Sequence, residues 1–290
     1  MKQNKLSYKI GQYLMFAGPG TILFLCVVIV PFVYGLYLTL TSWDGISATK
    51  PFVGFANFAS AFQDADYWQA MGRTVIYSII AVILINIVAF ALAYLVTRGI
   101  KGQNFFRSGF FVPNLIGGIV LGYVWKFVFN RAFVAIFNST SLLSTTNGAM
   151  FCLILVSVWQ YAGYMMLIYV AGFMSVSKDV QEAAMIDGCG TIRTLVYVLV
   201  PCIKPAVVSI AVFTFLWTMN DFLGPLIMIQ SVEKYPLSLA LRLSVDSTGQ
   251  GYEQRKIIAM SVIGLIPSIT VFALAQKKFV SGITAGGLTG

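Results

Sequence analysis

Histidine is absent from the sequence, and charged residues are few. Only 10% of the 290 residues are Asp, Glu, Lys or Arg, whereas a soluble domain carries about 25%. Hydrophobic residues make up 58% of the chain. A chain with so little charge and so many apolar side chains is not an ordinary soluble domain. The composition predicts an all-α integral membrane protein whose apolar side chains face lipid and neighbouring helices.

Other absences exclude several kinds of chemistry. The four cysteines form no C-x-x-C pair, and without histidine a metal site is not expected. No G-x-x-x-x-G-K-[S/T] loop occurs, so this chain is not expected to bind ATP as a P-loop ATPase does. The net charge is +9, but the basic residues lie between apolar runs and form no dense patch. Nucleic acid is therefore not an expected partner.

The apolar runs predict six membrane-spanning helices. We expect one transmembrane domain over residues 1–290, since no soluble domain or linker interrupts the runs. Pro31 is expected to kink the first span and Pro267 to interrupt the last. Gly118 and Gly122 form a small-x-x-x-small face in the third span, which favours close contact with another helix. The predicted spans are 13–40, 74–96, 108–129, 150–174, 206–229 and 257–275.

The distribution of charge predicts how these spans are oriented. Six spans place both termini on one side of the membrane, together with the segment between the fourth and fifth spans. Eleven of the 19 Lys and Arg residues fall on that side and eight on the other. Because basic residues accumulate in cytoplasmic loops, the termini and residues 175–205 are predicted to be cytoplasmic.

Residues 175–205 have the pattern of two short helices joined by a sharp turn. Ser177 is a candidate N-cap of the first helix. Asp187 and Gly188 are expected to end that helix, because glycine accepts a positive φ at little cost.

The second helix of this segment is expected to begin and end at equally local signals. Thr191 is a candidate cap, and Pro201 and Pro205 are expected to end the helix, because each lacks an N–H and clashes with the preceding turn. Periodicity alone leaves open an ordinary cytoplasmic loop with two amphipathic helices.

The segment contains Glu182-Ala183-Ala184, then Asp187-Gly188, then Pro201 and Pro205. These residue types at this spacing resemble the EAA loop of bacterial ABC-importer permeases. Cys189 and Leu195 depart from the pattern, in which Ala and Phe are usual, but both are apolar. The resemblance implies that this loop is a coupling helix that docks into a groove of a cytoplasmic ATPase subunit. It also implies that Glu182 pairs with a cationic group there and that Gly188 keeps the turn tight. The implied ATPase-docking residues are Glu182, Ala183, Ala184, Asp187, Gly188, Pro201 and Pro205.

Other segments resemble the sugar-importing members of the same family. They are LYLTLTSWDG at 36–45, VGFANF at 53–58, WTMNDFLGPLI at 217–227 and the tail GITAGGLTG at 282–290. The resemblance implies a permease subunit of a binding-protein-dependent ABC importer for oligosaccharides or related sugars, surrounded by lipid in a bacterial cell membrane. The implied partners are a second, different permease subunit, a pair of ATPases that carry ATP and Mg²⁺, and an extracytoplasmic solute-binding protein.

Polar and aromatic residues on the spans that flank the loop form a candidate solute path. Polar groups at membrane depth are costly against lipid, so an ionisable group there is a functional candidate. Asp221 is the one acid predicted inside a span; the alternatives are a place near the outer interface or a structural ion pair. Aromatic faces and amides suit sugar rings, although a tyrosine can equally pack with its hydroxyl satisfied by a neighbour. The candidates are Gln160, Tyr161, Tyr164, Thr214, Trp217, Thr218, Asn220 and Asp221.

Two other classes of protein stay open at this point. An ion-driven secondary transporter of a small polar solute would favour internal repeats and helices broken near the midplane, with Pro113 and Pro267 as candidate breaks. No internal repeat is evident in the sequence. A membrane-embedded enzyme would need clustered His, Cys or carboxylates on facing helices. One intramembrane acid and no histidine argue against an enzyme, so the sequence predicts a transport subunit.

Overall fold

The computed structural model describes residues 6–247 and 252–287. Within those residues the fold is helical, and the only β-pairing is an isolated antiparallel bridge between Thr41 and Phe52. Lys2 and Lys5, which contribute to the charge balance, lie outside the described residues, as does the end of the tail at 288–290. The α-helices are α1 Leu6–Phe16, α2 Gly18–Thr39, α3 Ala56–Phe62, α4 Ala65–Thr97, α5 Gln103–Leu115, α6 Gly118–Phe137, α7 Thr146–Ser175, α8 Lys178–Ile186, α9 Thr191–Cys202, α10 Lys204–Met219, α11 Leu223–Met228, α12 Leu237–Ser247 and α13 Tyr252–Gly287.

Five helical segments of the described chain are long and apolar enough to cross a membrane. They are α2, α4, α6, α7 and the stretch Gln254–Gln276 of α13. The consecutive helices α9 and α10 meet the same criterion together, but they are bent by 71° at the residue between them. Counting this bent pair as one span gives six, which agrees with the prediction and confirms the all-α membrane fold class.

The predicted third span, 108–129, is wrong in its bounds. The structure divides this stretch between α5 and α6, because Ile116 and Gly117 are extended, with ψ values of 124° and 136°. Glycine has a low helix propensity, and a proline three residues before Ile116 already weakens the preceding turn. The second part then continues as a helix to Phe137, eight residues beyond the predicted end.

The predicted fifth span, 206–229, is also divided. It is helical in α10 and again in α11, but Asn220 and Phe222 leave the helical conformation on either side of Asp221. The Asn220 side-chain amide instead donates to the carbonyl oxygen of Leu216 at 2.8 Å. Short polar side chains that bond to nearby backbone compete with the helix, which accounts for a break here.

The prediction that Pro267 interrupts the last span is wrong, because Pro267 lies inside an unbroken α13. Pro31 likewise lies inside α2, where a π-helical turn over Leu25–Ile29 precedes it. A wider turn makes room for the proline ring, which would otherwise clash with the carbonyl of the residue four positions earlier. The same device recurs before Pro201.

Packing divides the protein into two units. One comprises the chain up to Ala65 together with Leu243–Ile263, and the other comprises Asp66–Arg242 together with the chain from Gly264 onward. In the first, the buried Asn57 amide donates to the carbonyl oxygens of Thr39 and Thr41, both at 2.8 Å. The expectation of a single domain over 1–290 stays a prediction.

In the second unit α5 packs along α7, and the short α11 packs along α6. A Cβ added at Gly122 would lie 2.9 Å from Cδ1 of Ile227, so α11 sits directly on the glycine face of α6. The predicted small-residue face is therefore used, and its partner is the segment that follows the break at Asp221.

Candidate functional sites: an exposed helix pair and a cavity

The first candidate site is the helix pair α8–α9, which joins α7 to α10. Ser177 occupies the N-cap position of α8, as predicted, although its side chain makes no capping hydrogen bond. At the other end Gly188 has φ +85°, its N–H donates to Met185 O, and the Cys189 N–H donates to Ala184 O. These two bonds form a Schellman motif, which confirms that Asp187-Gly188 ends the helix.

Helix α9 departs from the sequence prediction at both ends. The N-cap residue is Gly190, and Thr191 is the first helical residue rather than the cap. Pro201 does not end the helix: a π-helical turn over Leu195–Leu199 precedes it, and the helix continues to Cys202. Pro205 lies in the first turn of α10, where its missing N–H costs nothing. Both prolines therefore flank the 71° bend instead of stopping a helix.

The helix pair exposes apolar side chains that a folded chain usually buries. Ile186 is 85% exposed, Ile192 76% and Tyr197 73%. Of the predicted docking residues, Ala184 and Pro205 are half-buried, and the rest are exposed: Glu182, Ala183, Asp187, Gly188 and Pro201. A compact surface that combines apolar and acidic side chains is typical of a site that another protein covers.

The bend after α9 is fixed to the helix that precedes the pair. Ile203, the residue between α9 and α10, is buried, and a Cβ added at Gly172 of α7 would lie 3.4 Å from Cγ2 of Ile203. The two helices that flank the pair therefore meet where it begins and ends.

The second candidate site is a cavity of about 670 Å³ in the same unit. Its walls come from α5, α6, α7, α10 and α11 and from the break between the last two. Five of the eight predicted solute-path residues line it: Gln160, Tyr161, Trp217, Asn220 and Asp221. The break in the predicted fifth span thus forms part of the wall, and Asp221 is one of the residues that line it.

The other three predicted residues do not line the cavity. Thr214 and Thr218 are fully buried, and each hydroxyl donates to the carbonyl four residues earlier in α10, at 2.7 and 2.9 Å. Tyr164 packs behind the wall, with its ring centroid 5.9 Å from that of Trp217. It therefore supports an aromatic wall formed by Trp217 and Tyr161, whose centroids lie 5.4 Å apart.

Asp221 is held by uncharged donors. The hydroxyl of Tyr77, on α4, lies 3.1 Å from Oδ2 of Asp221 and 2.6 Å from Oγ of Ser157. The backbone N–H of Gly224 also bonds to the carboxylate. Between the described residues, no ion pair with a basic side chain is found for Asp221, so the alternative of a structural ion pair is not what the structure shows.

Sequence reasoning missed three polar residues at this site: Asn114, Ser157 and Tyr77. Ser157 lies three and four positions before Gln160 and Tyr161 on α7, so helical periodicity could have placed it on the same face. Asn114 follows Pro113 at the end of α5, and its place on the wall depends on the break that the apolar pattern concealed. Tyr77 is separated from Asp221 by 144 residues, and no local signal connects them.

Comparison with known proteins gives consistent matches. Residues 98–284 match the family model described as "Binding-protein-dependent transport system inner membrane component". The "Probable starch degradation products transport system permease protein AmyD" of Thermoanaerobacterium thermosulfurigenes is 38% identical over 200 residues, which cover 67% of this chain and 68% of that protein. The "sn-glycerol-3-phosphate transport system permease protein UgpA" of Rhizobium meliloti (strain 1021) is 30% identical over 224 residues, covering 74% and 76%.

A solved structure has the same fold. A chain of the crystal structure described as "bacterial alginate ABC transporter in complex with alginate pentasaccharide-bound periplasmic protein" superposes with a TM-score of 0.73. The match covers 93% of this chain and 95% of that chain at 17% sequence identity. At this identity the likeness establishes the arrangement of helices, and the chemistry of the site has to be argued from the residues.

Proposed function

Because the chain belongs to the family of binding-protein-dependent transport system inner membrane components, we propose that it is one permease subunit of an ABC importer for oligosaccharides or related sugars. It forms half of a translocation path in a bacterial cell membrane. A second permease subunit supplies the other half, and an extracytoplasmic binding protein delivers the sugar. ATP and Mg²⁺ bind to a pair of separate ATPase subunits, which carry out hydrolysis.

The observation that carries this proposal is the size of the cavity and the set of side chains that line it. Its volume of about 670 Å³ suits a small saccharide, since ligand sites are about 300–1,000 Å³. Tyr161 and Trp217 offer ring faces on which the CH face of a sugar stacks. Gln160 and Asn220 offer donors and acceptors for hydroxyl groups. The starch products named for the AmyD relative are sugars of this kind.

The helix pair α8–α9 supplies the coupling to ATP in this proposal. Glu182 and the exposed apolar side chains of α8 enter a groove of the ATPase, and Gly188 sets the turn that presents them. Closure of the ATPase pair on ATP draws the two docking loops together. Because Gly172 of α7 packs against Ile203 at the start of α10, both helices tilt when the loop moves. The helix bundle then alternates between two arrangements whose relative stability ATP changes.

Co-purification with the partner subunits tests this function directly. We expect ATP hydrolysis by the assembled complex to rise when a sugar-loaded binding protein is added, with a panel that includes maltotriose. An ion-driven transporter would behave differently. Its uptake would survive loss of the ATPase and would stop when an uncoupler collapses the ion gradient. Uptake with those two properties would replace the importer by the alternative.

The orientation of the chain is predicted by the charge distribution and can be checked at Cys189. This residue lies in the α8–α9 turn and is a partly exposed free thiol. We expect a variant that retains only this cysteine to react with a membrane-impermeant maleimide in inverted vesicles and to stay unlabelled in intact cells. The variant carries replacements of Cys26, Cys152 and Cys202. Labelling in intact cells alone would place the turn outside and rule out docking to a cytoplasmic ATPase.

Replacing Trp217 by alanine is expected to weaken sugar binding by roughly tenfold, on the order of 1.4 kcal/mol. The change removes the ring that stacks with Tyr161 and faces the cavity, while α10 remains a good helix. Binding of labelled maltotriose to the purified complex in nanodiscs measures the effect.

The matched control for this prediction is Trp159→Ala. Trp159 lies on the neighbouring helix α7 and is similarly exposed, but it packs edge-on against Trp125 and does not line the cavity. We expect its loss to leave sugar affinity within about twofold of the unmodified complex. Equal losses in the two variants would remove Trp217 from the sugar site.

A further inference from the structure

The charge of the cavity wall is one-sided. Of the described residues that line it, one is acidic, Asp221, and none is Lys or Arg. The remaining polar groups are the neutral side chains of Asn114, Ser157, Gln160, Tyr161 and Asn220, with the Trp217 ring beside them. A solute in this half of the path therefore meets a surface that bears negative charge and has no cation to balance it.

The carboxylate is fixed in direction without being neutralised. Tyr77 donates a hydrogen bond to Oδ2 at 3.1 Å, and the Gly224 N–H supplies another. The Tyr77 hydroxyl is itself bonded to Ser157 at 2.6 Å, and the Ser238 hydroxyl donates to the backbone carbonyl of Asp221 at 2.5 Å. Neutral donors stabilise a carboxylate but leave its net charge in place.

We propose that Asp221, held by Tyr77, makes this cavity selective for uncharged saccharides over acidic ones. The inference rests on the proposed function and narrows its substrate class. A uronate or phosphate group placed beside Asp221 would bring two negative charges together at a partly buried carboxylate, where repulsion is stronger than in bulk water. A neutral sugar hydroxyl can instead donate to the carboxylate, and such a bond to a charged acceptor is stronger than one between neutral groups.

This selectivity separates the chain from two of the proteins that it matches. UgpA is named for sn-glycerol-3-phosphate, and the solved transporter for alginate, both anionic. AmyD is named for starch degradation products, which are uncharged. The wall of this cavity fits an uncharged solute. A site for an anionic solute would instead carry a cation on its wall.

Tyr77 is a positioning residue in this proposal. It is fully buried on α4 and does not line the cavity, so it acts on the sugar through the two wall residues that its hydroxyl bonds, Asp221 and Ser157. Its hydroxyl holds Oδ2 of Asp221 and so fixes the direction in which the carboxylate meets a solute. Removing that hydroxyl leaves the negative charge but releases the side chain to other rotamers. We therefore expect Tyr77 to affect the affinity for neutral sugars more than the rejection of acidic ones.

Direct binding to the complete complex in nanodiscs tests the proposal without the binding protein, which has its own selectivity. The neutral probes are maltotriose, raffinose and diacetylchitobiose, and the acidic probes are trigalacturonate and sn-glycerol-3-phosphate. We expect at least tenfold tighter binding of a neutral probe than of either acidic one. Asp221→Asn keeps the shape and removes the charge, so it should reduce that ratio by at least tenfold. Asp221→Ser serves the same purpose if the first variant does not assemble.

Tyr77→Phe should weaken the binding of the neutral probes by about fivefold, while the acidic probes remain excluded. Its matched control is Tyr169→Phe, which removes another buried tyrosine hydroxyl, bonded at 2.7 Å to Asn86 away from the cavity. Tyr77→Phe removes the hydrogen bonds to Asp221 and Ser157, and Tyr169→Phe removes the one to Asn86, but only the first variant should change sugar affinity.

The outcomes are distinguishable. Binding of an acidic probe as tight as that of neutral probes, or an unchanged ratio in the Asp221 variants, overturns the selectivity and leaves the importer in place. Equal affinity changes in Tyr77→Phe and Tyr169→Phe overturn the positioning role. Failure of every saccharide to bind the complex counts against the proposed function itself, and the selectivity that rests on it falls at the same time.

Discussion

Replacing Glu182 by lysine is expected to reduce ATP-driven sugar uptake to background while the protein remains inserted in the membrane. Glu182 is exposed in the middle of α8, and it is the glutamate of the loop that resembles the EAA motif. If it pairs with a cation in the ATPase groove, lysine places two positive charges in contact. Truncating one partner of such a pair costs roughly 2–5 kcal/mol, which weakens docking by about 30-fold or more, and reversing the charge adds repulsion.

Two measurements separate loss of docking from loss of folding. Sugar-stimulated ATP hydrolysis by the reconstituted complex should disappear, while membrane fractionation and co-purification with the second permease subunit should be unchanged. Glu233→Lys is the matched control, since Glu233 is also exposed but lies in the short 3₁₀ turn Val232–Lys234, on the side predicted to face away from the ATPase. Near-normal uptake by the Glu182→Lys variant would contradict the docking role.

The helix pair shows what local sequence can predict. The turn at Asp187-Gly188 depends on residues within one turn of each other, and the Schellman bonds form there because glycine accepts φ +85°. The prolines were harder to interpret. A rule that proline ends a helix does not foresee the π-helical turn over Leu195–Leu199, which admits Pro201 and moves the helix end to Cys202. The sequence predicted both short helices of the pair, but it did not predict the bend between α9 and α10.

The breaks in the third and fifth predicted spans were beyond the reach of the apolar pattern. Hydropathy reports whether a stretch prefers lipid. Residues 108–129 and 206–229 are predominantly apolar, and that average is the same whether or not the helix is continuous. Glycines at 117 and 118 and the polar pair at 220 and 221 are weak local signals, and tertiary packing decides which of them become breaks. The segment after Asp221 packs on α6, where α11 fits the glycine face at Gly122.

The cavity follows from those breaks, which explains why only part of its wall was predicted. Residues such as Gln160 and Trp217 were recognisable as polar or aromatic groups on the helices that flank the loop. Thr214 and Thr218 have the same polar character, but each hydroxyl bonds to its own helix, as is common for threonine among apolar neighbours. Tyr77 became visible only when α4 was placed against the break, since its role is a contact between distant parts of the chain.

The second large effect is expected at Gly163, where α7 packs closely against the backbone of α5. Gly163→Ala is expected to lower the thermal unfolding temperature of the purified complex by roughly 5 °C or more. A Cβ at this position would overlap the backbone carbonyl oxygen of Phe110, so α5 and α7 would have to separate. Inserting a group that the surroundings cannot accommodate costs about 1–3 kcal/mol, and here the obstacle is backbone rather than a flexible side chain.

The same substitution at Gly109 supplies the control, because a Cβ there would meet no atom within 4 Å and Gly109 lies on the partner helix α5. Alanine stabilises a helix interior by about 1 kcal/mol relative to glycine, so Gly109→Ala should be neutral or slightly stabilising. The two variants are thus expected to differ in sign. Sugar affinity should fall only for Gly163→Ala, since Gln160 and Tyr161 lie within one turn of it and would move with the helix. Equal stability of the two variants would show that α5 does not approach α7 as closely as the structure places it.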